Sequence, residues 1–321
     1  MSDVSNAATA FSNIKQAATD SATGVIEIAT NAETVAFSDT SRAITADDLG
    51  YVLQKSYNHV NYAKGRLLDR ILANGTGLYT TLSNIKGLWL FDQTEATSTI
   101  TDRTGNGHDI TLRDGSLNAI NASTCSPGVT GLAPYIALNA THVFNIVDSD
   151  DFTCIEPEKM TVISLIYITS SSSIDIFCKS DSTTGATKKE YSFYLSTLKP
   201  VTLLRDNSAN AFIGAWNSTT ALSLNTLYTL GFTYDGGGAK EGIKIYANGS
   251  QFDNATLTSG TYVAMENMTS LPGSYDLDAS SAVAQPFIGR FYFLAFIKEE
   301  LTATQWTNWD RLLRSYAGIA L

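Results

Sequence analysis

From Leu88 onward, apolar residues come in short runs broken by Gly, Asn, Asp, Ser and Thr. Leu88–Phe91 is a continuous apolar run, and Ile110 and Leu112 alternate with polar neighbours. These are the patterns of a buried and a half-buried strand. Further runs predict strands at Tyr135–Leu138, Met160–Thr169, Ile174–Cys178, Tyr191–Leu195, Val201–Leu204, Ala211–Trp216 and Tyr228–Tyr234. The series continues with Ile243–Ala247, Gln251–Leu257 and Phe287–Ile297. Turn residues separate most of them, as a two-sheet β fold requires. Asn248-Gly249 is a strong two-residue hairpin signal.

The period changes at both ends of this region. Leu53, Tyr57, Val60, Leu67 and Ile71 follow a heptad-like spacing interrupted by Lys64, and Gly75-Thr76-Gly77 supplies a helix stop. Leu78, Leu82 and Ile85 suit a second short helix leading into the strands. At the far end, Thr302 with Gln305 forms a capping box, and Trp306, Trp309, Leu312 and Leu313 share one face of the helix that follows. Residues 1–23 are small and polar. Val25–Ile28 suits a strand, and the pairs Thr30/Glu33 and Thr45/Asp48 open two short helices.

The turn Gly105-Asn106-Gly107-His108 between two strands resembles the opening of a laminin G-like (concanavalin A-like) jelly roll. The stretch from Tyr228 to Gln251, the late Ile288-Gly289 strand and the terminal helix resemble that family in the same order. The resemblance implies a mainly β chain: a β-sandwich preceded by a short helical N-terminal adaptor and a helical trimerisation segment. Residues Ile28-Ala29-Thr30, Ala32-Glu33, Asp39–Ala43 and Ile44-Thr45 with Leu49 resemble a small module of bacteriophage tail-fibre proteins. Where that family has Pro, this chain has Ala46. The expected organisation is therefore a virion-attachment adaptor at 1–50, a helical oligomerisation segment at 51–86 and the sandwich at 87–321.

What the resemblance implies for function is a structural protein of a phage virion, of tail-fibre or receptor-binding type. It would be assembled in the host cytoplasm and would present a lectin-like sandwich to the host surface. Its partners would be other virion proteins of the baseplate, tail or portal region, two further copies of itself, and a host surface glycan. Leu53, Tyr57, Val60, Leu67 and Ile71 would form the trimer seam. The alternative for these residues is a helix packed on its own chain. A head-fibre or decoration protein, or a glycan-degrading enzyme of concanavalin A-like fold, stays open beside the main reading.

Composition narrows the field further. Only 16% of the 321 residues are charged and the formal net charge is −10, with no basic cluster. Nucleic acid and anionic membranes are thus not expected as partners. The longest apolar run, Met160–Ile168, is too short to span a bilayer as a helix. The opening Met-Ser-Asp-Val-Ser-Asn lacks the basic and apolar regions of a secretion signal. Cys125, Cys154 and Cys178 show no metal-type spacing and are expected as buried free thiols. Sequons at Asn121, Asn139, Asn217 and Asn248 read as by-products of Asn/Thr-rich turns.

Catalysis is not expected. Glycosidases on this fold place carboxylates at alternate positions of one strand. The nearest pair, Asp276 and Asp278, lies in a Pro/Gly/Ser-rich stretch that reads as a solvated loop, and Glu156-Pro157-Glu158 reads as a turn. His59, His108 and His142 are scattered, and His108 is expected to be a hydrogen-bonded turn residue. No cofactor is expected. Calcium is the candidate cation, because Asp148, Asp150 and Asp151, and Asp102 with Asp109, offer hard oxygen ligands. Trp216 and Tyr262 are the candidate glycan-stacking residues, Tyr262 from a loop tip.

Overall fold

The computed structural model describes residues 67–68, 71, 78, 82–93, 97–130, 133–181, 188–277 and 283–318. The chain divides into two units, Met1–Tyr62 and Ala63–Leu321, and every described residue lies in the second. The expected adaptor at 1–50, and Leu53, Tyr57 and Val60, lie outside the described residues.

In chain order the strands begin with β1 (Ile85–Leu90), β2 (Thr99–Ile100), β3 (Ile110–Asp114), β4 (Gly128–Thr130), β5 (Ala133–Leu138), β6 (His142–Ile146) and β7 (Met160–Ile168). Next come β8 (Ile174–Asp181), β9 (Lys188–Ser196), β10 (Lys199–Asp206), β11 (Ala211–Trp216), β12 (Thr226–Tyr234) and β13 (Ile243–Ala247). The series closes with β14 (Ser250–Gln251), β15 (Ala255–Ser259), β16 (Leu271–Gly273), β17 (Asp276–Leu277), β18 (Val283–Ala284) and β19 (Gly289–Ile297), and then helix α1 (Ala303–Ala317).

Two antiparallel sheets stack on one another. The first runs β14-β13-β12-β7-β19-β5-β4, with β1 also paired to β19. The second runs β15-β11-β10-β9-β8-β16-β6-β3-β2. Strands β17 and β18 form a separate two-stranded ribbon.

The first sheet is covered on both faces, which explains its unbroken apolar strands. Along β7, Met160, Val162, Ile166 and Ile168 point into the core between the sheets, while Ile163 and Leu165 point into a second apolar layer. Strand β19 serves both layers through a register shift between Phe291 and Phe293. Phe291, Leu294 and Phe296 face the inner core, and Tyr292, Phe293, Ala295 and Ile297 face the outer layer.

Helix α1 covers that outer layer. Its capping box is formed, with the Thr302 N–H donating to Gln305 Oε1 at 2.7 Å, and Gly318 closes it at φ 71°. The Trp306 ring stacks on Tyr246 at 4.7 Å between centroids and 8° between planes. Gly231 permits this approach, because a Cβ there would sit 2.6 Å from Trp306 Cη2 and 1.9 Å from the Val162 carbonyl oxygen.

The same layer holds two residues of the expected seam. Leu67 and Ile71 are helical and fully buried, and they share an apolar cluster with Ile163, Phe293 and Trp309 of their own chain. Leu78 joins them, and its carbonyl accepts from Trp309 Nε1 at 3.0 Å. Apolar helix positions next to an uncovered sheet face find cover within the chain. The second short helix is reduced to a 3-10 turn at Leu82–Asn84, and Ile85 already belongs to β1.

Most expected strands form, some to the residue. Asn248 and Gly249, at φ 51° and 77°, make the two-residue turn between β13 and β14. The expected strand Gln251–Leu257 is broken instead, with β14 paired to β13 in one sheet and β15 paired to β11 in the other. At the break, Asp253 Oδ1 accepts from the Ile245 N–H, and Asn254 fastens to Asn217 and Ser218.

Candidate functional site

The outer face of the second sheet bears no such apolar layer. Along β9 and β10, Tyr191, Phe193, Leu195 and Leu204 fill the core. The alternate residues Ser192, Tyr194, Val201, Leu203 and Arg205 therefore face outward. Cross-strand register lines them up with neighbours. Asp175 pairs with Tyr194, Tyr194 with Val201, and Val201 with Trp216. In the next row Cys178 pairs with Ser192, Ser192 with Leu203, and Leu203 with Gly214. Arg205 pairs with Phe212, and its guanidinium carbon lies 5.5 Å from the Phe212 ring centroid.

Two irregularities in the β8–β9 pairing set which side chains reach this face. Register shifts between Asp175 and Phe177, so Ile176 and Phe177 both enter the core while Asp175 and Cys178 stay outside. A second shift between Lys179 and Ser180 passes over Glu190 and turns Lys189 to the outer side. Bulges of this kind re-aim side chains beside functional sites.

The result is a pocket of about 160 Å³, lined by Asp175, Lys189, Ser192, Tyr194, Leu203 and Arg205, with Asp276 and Gln285 on its rim. The ribbon β17–β18 supplies the rim, and the Asp175 N–H donates to the Gln285 carbonyl at 2.7 Å. Lys189 Nζ is ion-paired with Asp276. Asp175 is buried, and burial, reinforced by the Asp276 carboxylate, pushes its carboxyl up to about 8. Asp175 Oδ2, Ser192 Oγ and Arg205 Nε are buried without a hydrogen-bond partner. Buried polar atoms are nearly always paired, so three orphans around one small pocket single it out.

Of the residues singled out from sequence, Trp216 is half-buried on this face, two strands from Tyr194, about 10 Å at the usual strand spacing. Tyr262 lies in an irregular segment, as expected, but its ring turns inward. It packs on the inner core and its hydroxyl donates to Glu156, whose Oε1 also accepts from Tyr234 at 2.8 Å. Asp276 is not in a solvated loop either, being 6% exposed and ion-paired. Asp278 lies outside the described residues.

The calcium candidates are engaged by other groups of the chain. Asp102 accepts from the backbone N–H groups of Leu88, Thr104 and His108 and from Thr104 Oγ1, and Asp109 accepts from the Asp102 N–H. Asp148 pairs with Lys179, Asp150 accepts from Asn267, and Asp151 pairs with Lys86 and with His108 Nε2 at 2.9 Å. Among the described residues no cluster of three His, Cys, Asp or Glu is placed to hold a metal ion. Nor is any described helix long and apolar enough to cross a membrane.

Sequence reasoning missed Asp175, Lys189, Ser192, Tyr194, Arg205 and Gln285. One signal was present: Asp175 stands between Ile174 and Ile176, and a charge inside an apolar strand is rarely buried without purpose.

No protein-family model matches this chain, and no curated protein matches it in sequence. Its fold does have solved counterparts. The binding domain of Paraclostridial Mosquitocidal Protein 1 is similar, with TM-score 0.53 and 11% identity over 75% of this chain and 56% of that one. Domain 4 of AbnA, an extracellular arabinanase from Geobacillus stearothermophilus solved with arabinotriose, aligns with TM-score 0.49 and 13% identity, over 70% of this chain and 97% of that domain. The binding domain of botulinum neurotoxin serotype G aligns with TM-score 0.48 and 12% identity, over 72% and 52%. The chain spans just over half the length of the mosquitocidal domain, and at such identity the likeness is one of fold, a two-sheet β-sandwich.

Proposed function

We propose that this chain is a binding module whose second sheet takes a carbohydrate on its outer face, without cleaving it. The observation that carries the reading is the pocket between β8, β9 and β10, where orphaned Asp175, Ser192 and Arg205 atoms lie on one face with Tyr194 and Trp216. Sugars are bound by that combination of fixed polar groups and flat apolar rings. The similar mosquitocidal domain is itself a binding domain, which supports a binding use of the fold.

The setting proposed is a phage virion, as a tail fibre or other receptor-binding component. It is supported by the residues between Ile28 and Leu49 that resemble the tail-fibre module. Three copies would add avidity to weak single sites. With Leu67 and Ile71 engaged in their own chain, the proposed trimer would draw on Leu53, Tyr57 and Val60.

The test is an array of bacterial surface polysaccharides probed with the full chain, followed by a reducing-end assay on every polysaccharide bound. Binding without release of reducing ends, and weakened by Trp216→Ala, is expected. Failure to bind any polysaccharide would sink the reading. Oligosaccharide release abolished by Asp276→Asn would replace it with an enzyme.

A further inference from the structure

Charge in the pocket is unevenly matched. Two cationic side chains, Lys189 and Arg205, and two carboxyl groups, Asp175 and Asp276, line it. Lys189 and Asp276 neutralise one another as an ion pair. The guanidinium of Arg205 rests near Phe212 and has no ion pair with a described residue, and its Nε is buried and unpartnered. The adjacent acid, Asp206, is committed elsewhere, accepting from Ser208 Oγ and from the Ala209 and Val263 N–H groups. Asp175 Oδ2 and Ser192 Oγ, both orphaned, belong to residues that line the same pocket.

We propose that the ligand of this pocket is an acidic sugar, whose carboxylate is received by Arg205 and whose neighbouring oxygens are received by Ser192 and Asp175. This rests on the carbohydrate-binding reading above and specifies its ligand. A guanidinium edge matches a carboxylate in plane and in spacing, and the pairing is charge-assisted. A guanidinium without an ion pair to any described residue, in a chain of formal charge −10, is a selective feature rather than a share of the general surface. The pocket is also smaller than the roughly 300–1,000 Å³ of sites for drug-sized ligands, in keeping with a single sugar ring rather than a chain.

Protonated Asp175 adds a donor for the ligand's oxygens. The groups facing it are the Cys178 thiol on its own strand, Lys189 and Tyr194 from β9, Arg205 from β10, and Asp276 and Gln285 from the ribbon. Burial keeps the Cys178 thiol protonated, so Asp175 is the acid of the pocket that changes charge near neutrality. Above pH 8 an ionised Asp175 would repel an anionic ligand, and binding should weaken.

Saturation-transfer NMR on the full chain tests this with glucuronate, galacturonate and N-acetylneuraminate, the methyl ester of each, and glucose and galactose. At pH 6.5 at least one acid should bind about tenfold or more tightly than its ester, the scale of one charge-assisted hydrogen-bond pair. Arg205→Gln should erase that preference, and raising the pH through 8 should shrink it. The acid–ester comparison needs no variant, so it stands even if Arg205→Gln misfolds. Equal binding of acids and esters, or Trp216-dependent binding of neutral sugars alone, overturns this inference and leaves the carbohydrate-binding reading intact. If no sugar and no polysaccharide binds, both fall.

Discussion

Lys179 Nζ lies 2.7 Å from Glu190 Oε1, and neither side chain is exposed. The ammonium also meets Thr153 Oγ1 at 2.6 Å and Asp148 Oδ1 at 3.0 Å, while Glu190 accepts from the Met268 N–H at 2.7 Å. One buried pair thus ties β8 and β9 to the loops carrying Asp148, Thr153 and Met268. Burial raises the Glu190 carboxyl, and the Lys179 ammonium opposes that rise.

Removing the cation alone should be costly. Lys179→Met strands a buried carboxylate, and such losses run to about 3–5 kcal/mol. Adding Glu190→Gln to it should recover part of the loss, since the amide still accepts from Met268. Urea unfolding of the two variants reads the difference. A single variant within about 1 kcal/mol of wild type would mean that water serves the carboxylate as well as lysine does.

The pH dependence of stability should carry the mark of Asp175. Its carboxyl is raised from an ordinary 3.8 to about 8 by burial and then by Asp276. The folded chain therefore holds a proton that the unfolded chain has released over that window. The contribution of this group is complete below pH 3.8 and is lost as pH rises through 8. Asp175→Asn should flatten this part of the profile, so that its melting temperature gains on wild type between pH 5 and pH 9. A gap that does not widen with pH would place Asp175 in contact with solvent.

Ile71→Ala should cost about 2–5 kcal/mol, the range for truncating a buried isoleucine, because the side chain is fully buried in its own chain. Leu67→Asp should unfold or aggregate the protein rather than yield a clean monomer. A chain starting at residue 87 loses Ile85 and Lys86 of β1 and the Leu78 carbonyl that holds Trp309. It should melt well below a chain starting at residue 63, as calorimetry on the two would show. Equal melting temperatures would mean that the covering layer adds little.

The three thiols should resist modification in the native state. Cys125, Cys154 and Cys178 are buried and unbridged, and burial pushes Cys125 up to about 11 and the other two upward as well. Reaction with a disulfide reagent should be negligible at pH 8 and should account for three thiols after denaturation. A rapid equivalent in the folded protein would point to local opening around that cysteine.

How much of this was legible in advance follows the range of the forces involved. The Asn248-Gly249 turn and the Thr302/Gln305 capping box are set by neighbours within three residues, and both form as expected. The long apolar runs at Met160–Thr169 and Phe287–Ile297 read as strands, and strands form there, buried on both faces. The short strands β6 and β16 escaped notice, because their pairing partners, not their own composition, make them strands.

Sequence by itself therefore determined the class of fold, most strands of the sandwich and the helix that closes it. Tertiary structure alone decided which residues line the pocket. Strand alternation says which residues share a face only while the register holds, and here it slips twice between β8 and β9. Those slips put Asp175 and Lys189 on the side of Ser192 and Arg205, and the ribbon brings Asp276 from far along the chain. Trp216 stayed on the face that bears the pocket, whereas a glutamate more than a hundred residues away drew Tyr262 against the core. Partners at that separation are chosen by packing of the whole chain, and no local pattern encodes them.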